Sequence, residues 1–155
     1  MSIAVGSHAP AFTLACKPGT PVDLSTSLGK QITVLLFFPL AFSPVCTAEL
    51  CTFRDNWSKW KELSCNIFGI SIDSPFVAAK FREIEGFPFP VLSDFNKEMA
   101  AAYGALHADL KGMKGVTKRA VFVVDAKGIV RYAWISEDPS MQVDFDAIEK
   151  AVKAC

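Results

Sequence analysis

Residues 32–46 read Ile-Thr-Val-Leu-Leu-Phe-Phe-Pro-Leu-Ala-Phe-Ser-Pro-Val-Cys, and this stretch decides the fold. From Ile32 to Phe38 the run is β-branched, leucine-rich and aromatic without polar alternation, the pattern of a central strand covered on both faces. The apolar run ends at Ala41, about half of the roughly 20 residues a spanning helix needs, and Pro39 interrupts it. It therefore reads as a buried strand and not as a membrane span. Ser43 then offers an N-cap and Pro44 a first helical position, and the pattern to about Leu63 fits a long amphipathic helix. Cys46 falls in that helix's first turn. A strand feeding a helix through a short loop presents side chains at the carboxyl edge of a parallel sheet, where open α/β folds bind ligands.

Working outward, Phe12–Leu14 and Pro21–Leu24 flank the turn residues Lys17-Pro18-Gly19-Thr20 and suggest a small N-terminal hairpin. Downstream come a second apolar strand over Asn66–Ile72, a helix opened by Ser74-Pro75 and ending near Gly86, and a short strand at Val91-Leu92. A further helix is expected around Lys97–Tyr103. His107 to Gly115 reads as an exposed loop. Ala120–Val124 and Ile129–Ile135 flank Asp125-Ala126-Lys127-Gly128 as a second hairpin, and Asp144–Ala154 has the spacing of a short amphipathic helix. Strands alternating with helices and closed by an antiparallel pair predict an α/β, thioredoxin-like three-layer sandwich with a mixed central sheet.

The chain has 155 residues, of which 51% are hydrophobic, enough for one core, so a single domain over residues 1–155 is expected. Sixteen basic residues balance sixteen acidic ones, which gives no electrostatic reason for a nucleic acid or an anionic membrane as partner. Residues 1–6, Met-Ser-Ile-Ala-Val-Gly, lack a basic segment followed by an apolar one, so no export signal is read and the cytoplasm is expected. Five cysteines (Cys16, Cys46, Cys51, Cys65 and Cys155) are an odd number at low density, which argues against a structural disulfide framework.

Among these thiols Cys46 has the position of a nucleophile, because the free backbone N–H groups of a helix's first turn favour a thiolate. His8 and His107 are too few and too separated to form a metal site with Cys46 and Cys51. Phe53, Trp57 and Trp60 lie at helical spacing and read as core or interface. No glycine-rich phosphate or dinucleotide motif is present.

The segment Pro39-Leu40-Ala41-Phe42-Ser43-Pro44-Val45-Cys46 resembles the peroxiredoxin active-site pattern, in which proline is followed by three residues, threonine or serine, two residues and cysteine. Glu49 matches the glutamate that usually follows, and Arg119-Ala120-Val121-Phe122-Val123-Val124-Asp125 looks like the family's arginine-bearing strand start. The segment Phe37 to Asp55 is most similar to the compact subfamilies called AhpE-like and bacterioferritin-comigratory-protein-like. The resemblance implies a thiol peroxidase acting on hydrogen peroxide and organic hydroperoxides without a metal or organic cofactor. It makes Cys46 the peroxidatic cysteine, with Ser43 and Arg119 bonding the peroxide oxygens and Pro39 shielding the pocket. Ser43 is expected to serve also as N-cap, and Glu49 to orient the arginine, to meet substrate or to stabilise the helix. Alternation sends Lys118 and Arg119 to opposite sheet faces, and the resemblance selects Arg119.

Attack on peroxide would leave Cys46 as a sulfenic acid, which needs a second thiol before further oxidation. In bacterioferritin-comigratory-like relatives a cysteine at the spacing of Cys51 commonly resolves, and the disulfide would be reopened by a thioredoxin- or glutaredoxin-type reductant or a low-molecular-weight thiol. On an intact helix five residues give about 7.5 Å of rise and roughly 140° of rotation, too far for a disulfide, so the helix start must unwind first. Cys65, Cys155, Cys16 or an external thiol remain alternatives, as do two other functions, dithiol–disulfide exchange on proteins and a redox-regulated binding protein or chaperone. Compact relatives are often dimers, which makes a homodimer possible.

Overall fold

A computed structural model describes residues 3–155; Met1 and Ser2, part of the stretch read for an export signal, lie outside the described residues. The elements in chain order are β1 (Thr13–Lys17), β2 (Thr20–Asp23), β3 (Thr33–Phe37), α1 (Pro44–Asp55), α2 (Trp57–Glu62), β4 (Asn66–Ser71) and α3 (Pro75–Glu85). They continue with β5 (Val91–Ser93), α4 (Glu98–Ala102), β6 (Arg119–Val124), β7 (Val130–Ser136) and α5 (Phe145–Lys153). Seven strands form one sheet in the order β2-β1-β5-β4-β3-β6-β7. β3, β4 and β5 run parallel, and β6 lies antiparallel to β3, which makes the sheet mixed. Every residue of β3 and β6 is buried, as an uninterrupted apolar run demands of strands covered on both faces.

Two apolar clusters fill the spaces either side of the sheet. Val34, Leu36, Ile67, Val121 and Val123 face α1, α2, α3 and α5, while Leu35, Phe37, Ile70, Phe122 and Val124 face α4 and the Leu24–Leu28 segment. The period-2 alternation of β3 and β6 thus divides each strand between two helical layers, giving the three-layer sandwich read from the sequence. Among the described residues no helix is long and apolar enough to cross a membrane.

Three local expectations are corrected. The helix from Pro44 towards Leu63 is two helices, because Asn56 leaves helical geometry at φ −108° and ψ 24° and its side-chain amide donates to the Thr52 carbonyl at 2.9 Å. Such a side chain competes with the backbone ladder. The break lets Trp60 pack on Phe53 at 5.1 Å between ring centroids and Trp57 reach Phe89 at 5.9 Å, so the aromatic stripe is core. In the N-terminal hairpin the strands take in Lys17 and Thr20, leaving Pro18-Gly19 as the turn, with Gly19 at φ +73°. The stretch from His107 to Gly115 is folded back on itself: bridges join Leu106 to Thr117 and Leu110 to Met113, and His107 is buried.

Candidate active site

Cys46 lies in the first turn of α1, and only 1% of its surface is exposed. The β3–β6 register pairs Phe37 with Ala120, so Arg119 stands at the end of its strand beside the loop that follows Phe38. Its guanidinium makes four hydrogen bonds. Nη2 donates to Cys46 Sγ at 3.2 Å, Nη1 to Glu49 Oε1 at 2.9 Å, and Nε and Nη2 to the Pro139 carbonyl at 3.3 and 2.9 Å. Three acceptors at fixed angles hold the planar fork rigid, a geometry that a lysine ammonium does not offer. Lys118 is directed elsewhere, paired with Glu137 at 2.6 Å.

Burial alone would weaken the charge on Arg119, but Glu49 and Cys46 outweigh it and raise its pKa above the ordinary value. The anionic partner carries the cost of burial. Glu49 is fully enclosed, its Oε2 has no hydrogen-bond partner, and desolvation pushes its pKa up to about 7 although Arg119 opposes the shift. Glu49 therefore binds protons in the folded chain at pH values where the unfolded chain has released them. Between its unfolded pKa, about 4.3, and about 7, the slope of stability with pH from this group is negative. Stability is expected to fall as pH rises through this window, and Glu49→Gln to remove that component. Urea unfolding of both proteins from pH 4.5 to 8 checks this; parallel curves would show that Glu49 is ionised throughout.

The loop before α1 is shaped by contacts the sequence did not announce. Phe42 sits in left-handed geometry at φ +66°, and its ring packs on Phe81 at 4.9 Å. The Ala41 N–H donates to Asp73 Oδ2 at 2.8 Å, and Ser71 Oγ donates to the same oxygen at 2.7 Å, tying the loop to the end of β4. Ser43 occupies the N-cap position, but the expectation that its side chain caps the helix is wrong. The hydroxyl donates instead to the Leu40 carbonyl at 2.7 Å, which leaves its oxygen free to accept, and the residue lines the cavity. Gln142 Nε2 donates to the Val45 carbonyl at 3.1 Å and so ties residues 137–143 to the first turn.

These groups line a cavity of about 260 Å³ whose walls include Pro39, Leu40, Ser43, Cys46, Arg119 and Pro139, with Leu110 and Met113 from the folded-back loop. Glu49, expected as a possible substrate contact, does not line it and stands behind the arginine. The cavity offers the Cys46 sulfur, the fixed Arg119 cation and the Ser43 hydroxyl between mainly apolar walls, with Lys111 and Ser140 also in its lining. Such a set can bind a small polar O–O group and stabilise negative charge that develops on a departing oxygen.

Cys51 also lies on α1 but outside this cavity, half-buried, its thiol donating to Glu85 Oε2 at 3.6 Å. All five cysteines are free thiols. Cys65 donates to the Trp60 carbonyl inside the core, and Cys155 is exposed at the end of the chain. Among the described residues no three His, Cys, Asp or Glu side chains gather as a metal site. Asp73, Gln142 and the Pro139 carbonyl were not anticipated; the first two had no neighbouring signal, and a backbone carbonyl has no residue type to betray it.

The AhpC/TSA family model matches residues 5–133. A chloroplastic 2-cysteine peroxiredoxin of Chattonella marina var. antiqua is 35% identical over 147 residues, covering 88% of this chain and 72% of that protein. The crystal structure of peroxidoxin BcpB from Mycobacterium tuberculosis superposes with a TM-score of 0.86 at 35% identity, covering 98% of this chain and 97% of that one. The AhpC structure from the same organism gives 0.83 at 27% identity, over 99% and 93%. The sandwich accordingly matches solved peroxiredoxin structures, and the chain belongs to the AhpC/TSA family as a peroxiredoxin, a thiol-dependent peroxidase.

Proposed function

We propose that this peroxidase works through Cys46 on hydrogen peroxide and small organic hydroperoxides, with Arg119 and Ser43 holding the substrate and Cys51 resolving the product. The observation that carries the reading is the 3.2 Å contact between Arg119 Nη2 and Cys46 Sγ, inside a cavity that also presents the Ser43 hydroxyl. The guanidinium balances the thiolate before reaction and faces the oxygens that take on charge during it. Stabilisation that grows toward the transition state lowers the barrier more than it aids substrate binding.

The thiolate's electron pair forms an S–O bond with the terminal peroxide oxygen as the O–O bond breaks. The departing oxygen leaves as hydroxide or alkoxide and takes up a proton, and Cys46 becomes a sulfenic acid. Pro39 and the walls around it keep bulk water from this centre. Cys51 then attacks the sulfenic sulfur, water leaves, and a disulfide forms. A thioredoxin- or glutaredoxin-type dithiol, or a low-molecular-weight thiol, returns both cysteines to the reduced state. The protein acts as one domain in the cytoplasm, as a monomer or a homodimer.

Cys46 and Cys51 both belong to α1, so the disulfide requires the first turn of that helix to open. A helix start carries few obligatory backbone bonds, and here the added restraints are the Gln142 bond to Val45, the Thr47 hydroxyl bond to the Ser43 carbonyl and the Arg119 bond to Cys46. The test uses one equivalent of hydrogen peroxide with dimedone, followed by intact-mass and peptide analysis. The wild-type chain should give a Cys46–Cys51 disulfide, and Cys51→Ser a dimedone adduct on Cys46. A disulfide formed unchanged in Cys51→Ser would transfer the resolving role to another thiol.

A further inference from the structure

The resolving step needs more than a reachable thiol. At neutral pH Cys51 is not a ready nucleophile, because burial raises its pKa above the ordinary thiol range; Arg54 opposes this and Glu85 adds to it. A thiol held protonated must lose its proton while the S–S bond forms. The structure places one acceptor on that proton, Glu85 Oε2 at 3.6 Å from Cys51 Sγ.

Glu85 is the last residue of α3, which ends there because Gly86 takes left-handed geometry at φ +66°. Arg54, one turn beyond Cys51 on α1, donates from Nη1 to the Glu85 carbonyl at 2.6 Å, and the same nitrogen stands 3.8 Å from Glu85 Oε2. The carboxylate is thereby fixed against the thiol by both ends of its own residue. A cation also lies close enough to steady charge on the sulfur.

This cluster is independent of the part of α1 that must move. Leu50 and Phe53, fully buried in the core, hold the middle of the helix on either side of Cys51. Opening the first turn can carry Cys46 toward Cys51 without disturbing Cys51, Arg54 or Glu85.

We propose that Glu85 is the general base of the resolving step, accepting the Cys51 thiol proton as Cys51 attacks the Cys46 sulfenic sulfur. The inference rests on the reading that Cys51 resolves. The Cys51 S–H pair of electrons forms the S–S bond, and its proton passes to Glu85. The S–O bond of the sulfenic acid breaks, and the departing hydroxide takes the proton from Glu85 and leaves as water. No external oxidant or reductant enters this step, since the peroxide has already oxidised Cys46.

Quenched-flow mixing with one equivalent of hydrogen peroxide, read by intact mass, separates sulfenic acid formation from disulfide formation. Glu85→Gln should form the sulfenic acid at the wild-type rate and convert it to disulfide on the order of 10²-fold more slowly at neutral pH. The defect should shrink as pH rises, because Cys51 then ionises without help, and the two rate profiles should converge at alkaline pH. An unchanged second step, or a pH-independent slowing of both steps together, would overturn the assignment. Cys51→Ser run in parallel separates the two readings. If it still forms an intramolecular disulfide, the resolving role of Cys51 fails, whereas its loss with an unaffected Glu85→Gln sinks only the role of Glu85.

Discussion

Exchange of Cys46 for serine is expected to bring peroxide consumption down to the uncatalysed background, measured as loss of hydrogen peroxide in the presence of a thiol reductant. The hydroxyl is close to isosteric and can still accept a hydrogen bond from Arg119, so the site should keep its shape. What disappears is the proposed nucleophile, since a serine hydroxyl is not ionised at neutral pH and cannot carry the S–O chemistry. Cys46 is in the core cluster, and the variant should still unfold in one cooperative transition. Retained turnover would mean that one of the other four thiols reacts with peroxide, and dimedone mapping would show which.

Arg119→Met is expected to slow the reaction of Cys46 with peroxide by roughly 10²- to 10³-fold, the usual cost of removing one fixed donor from a site of developing negative charge. It should also destabilise the fold, because Glu49 loses its one ion-pair partner among the described residues while remaining fully buried. Breaking a buried pair by removing one member costs about 3–5 kcal/mol. The raised pKa of Glu49 moderates that figure: with Arg119 gone nothing offsets the desolvation, its pKa climbs above the wild-type value of about 7, and the carboxyl can take a proton instead of standing charged and alone. The loss of stability should therefore grow with pH.

Rate and stability can be separated in the double variant Arg119→Met with Glu49→Gln, since the pair's two members are in direct contact and their effects do not add. Removing both charges should return much of the stability but none of the rate, measured by urea unfolding and by stopped-flow oxidation. A rate restored along with stability would show that Arg119 acts only by holding the structure together.

The strand-loop-helix reading around Phe37 and Cys46 rested on local patterns, and these survive in the fold because each follows from neighbouring residues. An unbroken apolar run cannot be left on a solvated face, and Ser43-Pro44 can hardly do other than start a helix. The break at Asn56 was less legible, since its side-chain amide shares the Thr52 carbonyl with its own backbone N–H, and the turn is rewarded only by the aromatic packing beyond it.

The place of Cys46 in a helix's first turn was thus determined by the sequence alone, and the resemblance of two separated motifs pointed to Arg119. Only the tertiary structure decided how these parts meet. The pairing of Phe37 with Ala120 brings Cys46 and Arg119, 73 positions apart, into contact, and whether Arg119 or Lys118 turns inward depends on that register and on which face the helices cover. The Pro139 carbonyl that fixes the guanidinium, the burial that lifts Glu49, and the Glu85 carboxylate against Cys51 have the same origin. Each is a property of groups distant in the chain and close in space, where desolvation and geometry set the chemistry and residue type alone does not.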